Sequence, residues 1–277
     1  MKKYVQDFDV RSVETLSTRH VLLRLTPRGD MPEMRPGQFV EVSGGPSVLL
    51  RRPISINNVD YERGELWLLV AAVGEGTKYI CGMKAGESLN IVLPLGNGFT
   101  MPAAPAQPLD FVEISPARQN EQGRLPSLTR NLLVGGGVGV APLLFMGSVL
   151  ARAGIRPTFL LGARTAAELL ELDYFTAIGD VYTTTEDGSH GERGFVTDHS
   201  ILNTSPSSIH VCGPKPMMVA VARYAKSRGI PCEVSLENMM ACGVGACLCC
   251  VEKTVRGNVC VCTEGPVFNI EELTWQI

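Results

Sequence analysis

The chain has 277 residues, of which 45% are hydrophobic and 19% charged, with a net charge of −3. That length suffices for two domains and a small appendage, and the slightly acidic balance argues against a nucleic-acid partner. The opening residues MKKYVQDFDV lack the apolar run of a signal peptide, and no apolar stretch approaches the ~18 residues of a membrane span. Nine cysteines in such a chain lead us to expect a reducing, cytoplasmic setting in which thiols serve a metal.

Residues 1–100 read as strands. Val21–Leu25, Gln38–Val42 and Glu65–Val73 cluster or alternate apolar residues between turn signals such as Arg35-Pro36-Gly37. Short strands with turns between them predict a small antiparallel barrel, with one short helix near Lys78–Met83. Within this region lies Arg51-Arg52-Pro53-Ile54-Ser55. The forked guanidinium of Arg52 can grip a phosphate, and Ser55 can offer a hydroxyl to a ring nitrogen. A salt-bridging surface arginine is the plainer alternative. A second small-residue turn, Gly74-Glu75-Gly76-Thr77, follows and strengthens the ligand-binding reading.

Residues 101–130 contain PAAPAQP and RQNEQGRLPS and read as a linker or long loop. Residues 131–236 then alternate strand and helix. Candidate strands are Leu132–Val134, Thr158–Leu161, Val181–Thr184, Ser208–Cys212 and Glu233–Leu236. Candidate helices are Val140–Ala153, Ala166–Ala177 and Pro216–Arg228. This alternation predicts a parallel sheet covered on both faces.

Two turns in this region carry chemistry. In Leu132–Pro142, an apolar strand runs into Gly135-Gly136-Gly137-Val138-Gly139 and then a helix. Glycines let a backbone approach a pyrophosphate, and a helix start supplies free N–H groups. Pro142 stands where the usual third glycine would be, and proline is tolerated in a first helical turn. Cys212-Gly213-Pro214-Lys215-Pro216-Met217-Met218 likewise leaves a strand and opens a helix, at the sheet edge where ligands bind. A buried cysteine in a plain turn is the alternative there. Arg164, at the end of another strand, could meet a cofactor phosphate. Glu168 and Glu171 nearby favour NAD over NADP.

Residues 237–277 are dominated by cysteine. Met239–Phe268 holds six of the nine. Cys242, Cys247 and Cys250 are spaced C-x4-C-x2-C, and Cys262 follows after eleven more residues. Thiolates at that spacing suit a [2Fe–2S] cluster, and Gly243 and Gly245 let the backbone curl around one. Structural zinc is the alternative, although zinc sites more often pair two C-x2-4-C knuckles. Cys249 and Cys260 are left over. On an extended segment Cys260 and Cys262 would face the same side, so geometry alone does not choose between them. The tail reads as too short to hold strands of its own. His20, His190, His199 and His210 are scattered, and no catalytic acid–base pair is expected.

In this order and spacing, R-P-x-S, G-x-G-T, G-G-G-x-G-x-A-P and C-G-P-x-x-M-M resemble the ferredoxin-NADP+ reductase superfamily. With ACGVGACLCCVEKT and VCTEGPVF added, the chain is similar to electron-transfer subunits of NAD-dependent class 1B dihydroorotate dehydrogenase, in pyrimidine biosynthesis. The resemblance implies an α+β and α/β multidomain fold. It has an FAD-binding antiparallel β-barrel (1–100), an NAD-binding α/β domain (131–236) and a [2Fe–2S] subdomain (237–277). It implies FAD contacts from Arg52, Pro53, Ile54 and Ser55, from the strand Leu69, Val70 and Ala71, and from Gly76 and Thr77. It places Gly137, Gly139, Cys212, Gly213 and Met217 at NAD. It makes Cys242, Cys247, Cys250 and Cys262 the cluster ligands, choosing Cys262 over Cys260. The implied partner is an FMN-containing dihydroorotate dehydrogenase catalytic subunit, in a heterotetramer with two subunits of each kind.

The chemistry is coherent. Hydride transfer moves two electrons, a [2Fe–2S] centre carries one, and a flavin can do both. Three alternatives compete. One is the flavin and iron–sulfur subunit of an NAD(P)H:ferredoxin or hydrogenase-type oxidoreductase. Another is a zinc-stapled nucleotide-binding regulator, and the third a stand-alone oxygenase reductase.

Overall fold

The structure is a computed structural model that describes residues 2–101 and 131–277. The linker expected at 101–130 therefore lies, beyond Met101, outside the described residues. The chain divides into two compact units, Met1–Phe99 with Ser235–Thr274, and Thr100–Val234 with Trp275–Ile277.

The first unit opens with β1 (Tyr4–Thr15), β2 (His20–Pro27), β3 (Phe39–Val42), β4 (Arg52–Asp60), β5 (Glu65–Ala71), α1 (Glu75–Cys81) and β6 (Ser88–Leu95). The six strands close a barrel in the order β1-β2-β5-β4-β3-β6, and every pair in it is antiparallel. Phe8, Leu25, Ile56, Leu68 and Ile91 fill its interior, fully shut off from water. β1 carries no clear apolar alternation because only Phe8 and Val10 of its residues are buried. Its polar face is held by pairs such as Arg28–Asp9 at 2.7 Å. Helix α1 begins at Glu75, three residues before the expected Lys78. Thr77 Oγ1 accepts from Val73 N and Gly74 N, both at 3.0 Å, and so satisfies donors ahead of the first turn.

The second unit contains β7 (Asn131–Gly136), α2 (Ala141–Arg152), β8 (Thr158–Ala163), α3 (Leu172–Ile178), β9 (Asp180–Thr185), β10 (Glu192–Arg193), β11 (Ser208–Cys212), α4 (Lys215–Arg228) and β12 (Cys232–Ser235). They lie in the sheet order β10-β9-β8-β7-β11-β12. The registers joining β10 to β9, β9 to β8, β8 to β7 and β7 to β11 are all parallel. The chain moves outward from β7 to β8 and β9, then returns to place β11 on the other side of β7. A doubly wound sheet binds ligands at that reversal, beyond the carboxyl ends of its strands. The expected helix Ala166–Ala177 is split. A single 3-10 turn spans Ala166–Glu168, and α3 starts only at Leu172. Between them Leu170 is buried and Glu171 turns left-handed at φ 58°.

The segment Ser235–Thr274 belongs to the first unit. It contains a hairpin of β13 (Val251–Thr254) and β14 (Gly257–Cys260), then α5 (Val261–Glu264) and β15 (Val267–Asn269). The tail therefore has strands of its own, contrary to expectation. They are three or four residues long, too short to show an alternation. Asn97, just past β6, fastens the tail to the barrel. Its Nδ2 donates to Glu264 O at 2.9 Å and Val267 O at 2.8 Å, and its Oδ1 accepts from Val267 N at 3.0 Å. Asn97 N also donates to Gly265 O at 2.6 Å. The contact is close because Gly96 and Gly37 lack side chains. A Cβ on Gly96 would lie 2.6 Å from Pro266 Cδ, and one on Gly37 2.8 Å from Val267 Cγ2. Asn97→Ala removes three side-chain hydrogen bonds at about 1 kcal/mol each. It should lower unfolding stability by about 2–3 kcal/mol in a denaturant titration and expose the tail to limited proteolysis.

Candidate functional site

The barrel carries a slot where β4 and β5 part. Their ladder runs from Asp60↔Glu65 to Ile56↔Leu68 and stops there. Residues 52–55 pair only with β3, and residues 69–71 only with β2. Arg52-Pro53-Ile54-Ser55 and Leu69-Val70-Ala71 thus each keep one backbone edge outside the ladder. Pro53 is tolerated in the strand for this reason, since it lies outside the β4–β5 ladder. At the mouth, Arg52 lies across Gly76, where a Cβ would come within 2.7 Å of Arg52 Cδ. Gly44 closes on Gly76 from the other side, its own would-be Cβ 3.1 Å from Gly76 Cα. The slot thus unites the seven predicted residues of β4 and β5 with Gly76 and Thr77. Sequence reasoning missed Gly44, whose only signal is the pair Gly44-Gly45 before a proline.

The same unit holds the cysteine loop. Val244 N donates to Cys242 Sγ at 3.4 Å, Gly245 N to Cys262 Sγ at 3.1 Å and Cys262 N to Cys250 Sγ at 3.4 Å. The N–H of Val244, aided by donors from Ala246 and Cys247, holds the Cys242 thiol down to about 6. Burial, with the Cys250 thiol beside it, pushes Cys262 up to about 12. Cys250 and Cys262 are buried, Cys242 is half-buried, and Cys247 and Cys249 are exposed. The two glycines turn left-handed, Gly243 at φ 65° and Gly245 at φ 82°. Cys260 and Cys262 do not share an extended segment, because the chain enters α5 at Val261. Cys260 Sγ points to Gly245 O at 3.9 Å, whereas Cys262 Sγ receives the amide of the same residue. All nine cysteines are free thiols. Among the described residues no three ligand side chains converge closely enough to hold a metal as they stand, but the amides aimed at Cys242, Cys250 and Cys262 suit thiolates of an iron–sulfur centre, whose negative sulfurs such donors stabilise.

In the second unit, the two glycine turns emerge side by side. Cys212 at the end of β11 pairs with Gly135 of β7. A Cβ on Gly139 would lie 2.5 Å from both Cα and N of Gly213, so the turns touch backbone to backbone. Met217 Sδ lies 2.7 Å from the Cβ position of Gly136. Gly137, at φ 56°, has nothing within 4 Å of its Cβ position. All five predicted residues of this site are therefore gathered at the β7–β11 reversal. An open glycine edge at the start of α2 fits the backbone approach of a pyrophosphate. Pro142 sits in the first turn of α2, as expected. Arg164 is ion-paired to Glu168 at 2.5 Å. His199 and His210 are buried, and burial pushes both below the usual histidine range.

Comparison with known proteins converges on one family. Residues 237–274 match the family described as the iron-sulfur cluster binding domain of dihydroorotate dehydrogenase B, and residues 133–223 the oxidoreductase NAD-binding domain. The dihydroorotate dehydrogenase B (NAD(+)) electron transfer subunit of Geobacillus kaustophilus (strain HTA426) is 35% identical over 270 residues, 95% of this chain and 96% of the relative. The chain belongs to the family of dihydroorotate dehydrogenase B electron transfer subunits. Another member, from Bacillus cereus (strain Q1), is 38% identical over 249 residues, 86% of either chain. A solved NADH-dependent reduced ferredoxin-NADP oxidoreductase, described for flavin-based electron bifurcation, is also similar. It has a TM-score of 0.79 and 27% identity, over 97% of this chain and 90% of that one. Oxidoreductase electron transfer with FAD, a [2Fe–2S] cluster and NAD is the chemistry of this family. Among the described residues, no helix is long and apolar enough to cross a membrane.

The two glycines of the β7 turn should respond differently to substitution. Gly139→Ala drives a methyl into the backbone of Gly213 and should cost about 3 kcal/mol. Gly137→Ala meets only the left-handed backbone penalty of about 1 kcal/mol. Thermal melts of the two variants check the order.

Proposed function

We propose that this chain passes electrons from an FMN-containing dihydroorotate dehydrogenase catalytic subunit, by way of a [2Fe–2S] cluster and FAD, to NAD+. The observation that carries this is the anchoring of the cysteine loop to the same barrel that carries the slot between β4 and β5. Cys242, Cys247, Cys250 and Cys262 hold the cluster, and the amides of Val244 and Gly245 stabilise its thiolates. Cys250 is preferred to the exposed Cys249 because it is buried beside Cys262.

The slot residues Arg52–Ser55 and Leu69–Ala71 hold FAD through their unladdered edges. Arg52 and the Gly76-Thr77 turn would take its pyrophosphate, and the Ser55 hydroxyl would serve a ring nitrogen. Gly137 and Gly139 form the floor for the NAD pyrophosphate, and Cys212, Gly213 and Met217 border the nicotinamide. With these groups bound, the flavin exchanges two electrons with nicotinamide and one at a time with the cluster. NAD is preferred to NADP because the Arg164 guanidinium is already paired with Glu168. The complex contains two copies of each subunit and works in the cytoplasm.

A second reading is favoured by the solved ferredoxin-NADP oxidoreductase at 27% identity. In it the same chain serves a ferredoxin-type complex. Affinity purification from the source cell separates the two by whether an FMN-containing barrel protein or a ferredoxin-linked subunit is recovered. Cys250→Ser should abolish electron transfer from the catalytic subunit while leaving FAD-dependent NADH oxidation by an artificial acceptor largely intact. Steady-state assays of the reconstituted complex check both halves. Survival of both activities would rule Cys250 out as a ligand.

A further inference from the structure

Glu41, on β3, is a buried carboxyl outside the residues assigned to FAD, NAD and the cluster. It is 1% exposed, and neither carboxyl oxygen has a hydrogen-bond partner among the described residues. Burying such a group without partners is costly. Its surroundings are specific. From the cysteine loop, the backbone of Gly243 packs against it, so that a Cβ on Gly243 would lie 2.8 Å from Glu41 Cγ and 3.2 Å from Oε1. Leu95 of β6 walls the same spot, 3.0 Å from that Cβ position. Arg51 and Arg52 act on it from the start of β4, and Cys242 from the loop. Burial pushes its carboxyl up to about 7 against the pull of both arginines. The group thus sits where the Arg52 end of the flavin slot and the cysteine loop meet the same strand.

We propose that Glu41 is a positioning residue for electron transfer: its buried charge, set against the Cys242–Gly243 loop, lowers the reduction potential of the cluster held there. The inference rests on the assignment of Cys242, Cys247, Cys250 and Cys262 as cluster ligands. The physical basis is Coulombic. An electron added to the cluster meets a fixed negative charge across a short path that excludes water, where screening is weak. Arg51 and Arg52 offset the carboxylate equally before and after reduction, so the repulsion between Glu41 and the added electron remains as a difference between the two states. Removing the charge eases reduction of the cluster without touching a ligand.

The test is an EPR-monitored redox titration of the full chain, loaded with FAD and iron–sulfur, at about pH 9. That pH lies far above the ordinary carboxylate range. Glu41→Gln should shift the cluster midpoint to a more positive potential, while Glu41→Asp stays near the wild-type value. A Glu41→Gln protein with an intact [2Fe–2S] signal and an unmoved midpoint would overturn the proposal. If the glutamine variant does not load, Glu41→Met fills the space without charge and is read in the same way. A wild-type chain that shows flavin but no cluster signal would overturn the ligand assignment, and the proposal with it.

Discussion

The close contact between the barrel rim and the tail is the constraint on which the rest of the first unit depends. Asn97 meets the backbone of Glu264, Gly265 and Val267 through four hydrogen bonds. Gly37 and Gly96 supply the bare surface that lets the two segments touch. The cysteines lie in a loop and short hairpin with little core of their own, a size at which segments need a metal or an external anchor. The rim contact is that anchor. It also explains the run Gly265-Pro266-Val267-Phe268, which has no thiol and yet is part of the seat.

Anchoring brings the cysteine loop against β3, and β3 pairs with the start of β4, where Arg52 stands. One strand thereby links the loop on one side to the slot on the other. The left-handed glycines serve this approach as much as they serve the metal. Gly243 is required by the proximity of Glu41 and Leu95, and Gly245 by Thr263, whose Cγ2 lies 2.9 Å from its Cβ position. In the second unit the same device recurs at Gly139 and Gly213, where two turns meet without side chains between them.

Much of this was legible in the sequence, and the exceptions have physical causes. The βα alternation was visible because fully buried parallel strands such as Leu132–Val134 are continuous apolar runs. The chemistry-bearing turns were visible because glycine, proline and cysteine have few structural substitutes. β1 was hidden because only Phe8 and Val10 of its residues are buried, too few to mark an alternation. The break at Glu171 was hidden because burial of Leu170 overrides a helix-favouring stretch. The hairpin β13–β14 was hidden by its brevity. Cys260 and Cys262 could not be told apart from spacing, because their separation depends on α5 starting between them. Glu41 was invisible as a site, since a glutamate in an apolar strand announces nothing about what packs on it.

The central claim is that the tail is an electron carrier fixed to a flavin barrel, rather than a zinc staple. Anaerobic titration of the reconstituted chain with NADH, followed by visible and EPR spectroscopy alongside metal analysis, tests it most directly. The account predicts about two irons and two labile sulfides per chain, bleaching of the flavin, and a one-electron cluster signal that develops with it. Stoichiometric zinc in the cysteine segment, with flavin bleaching and no cluster signal, would contradict it.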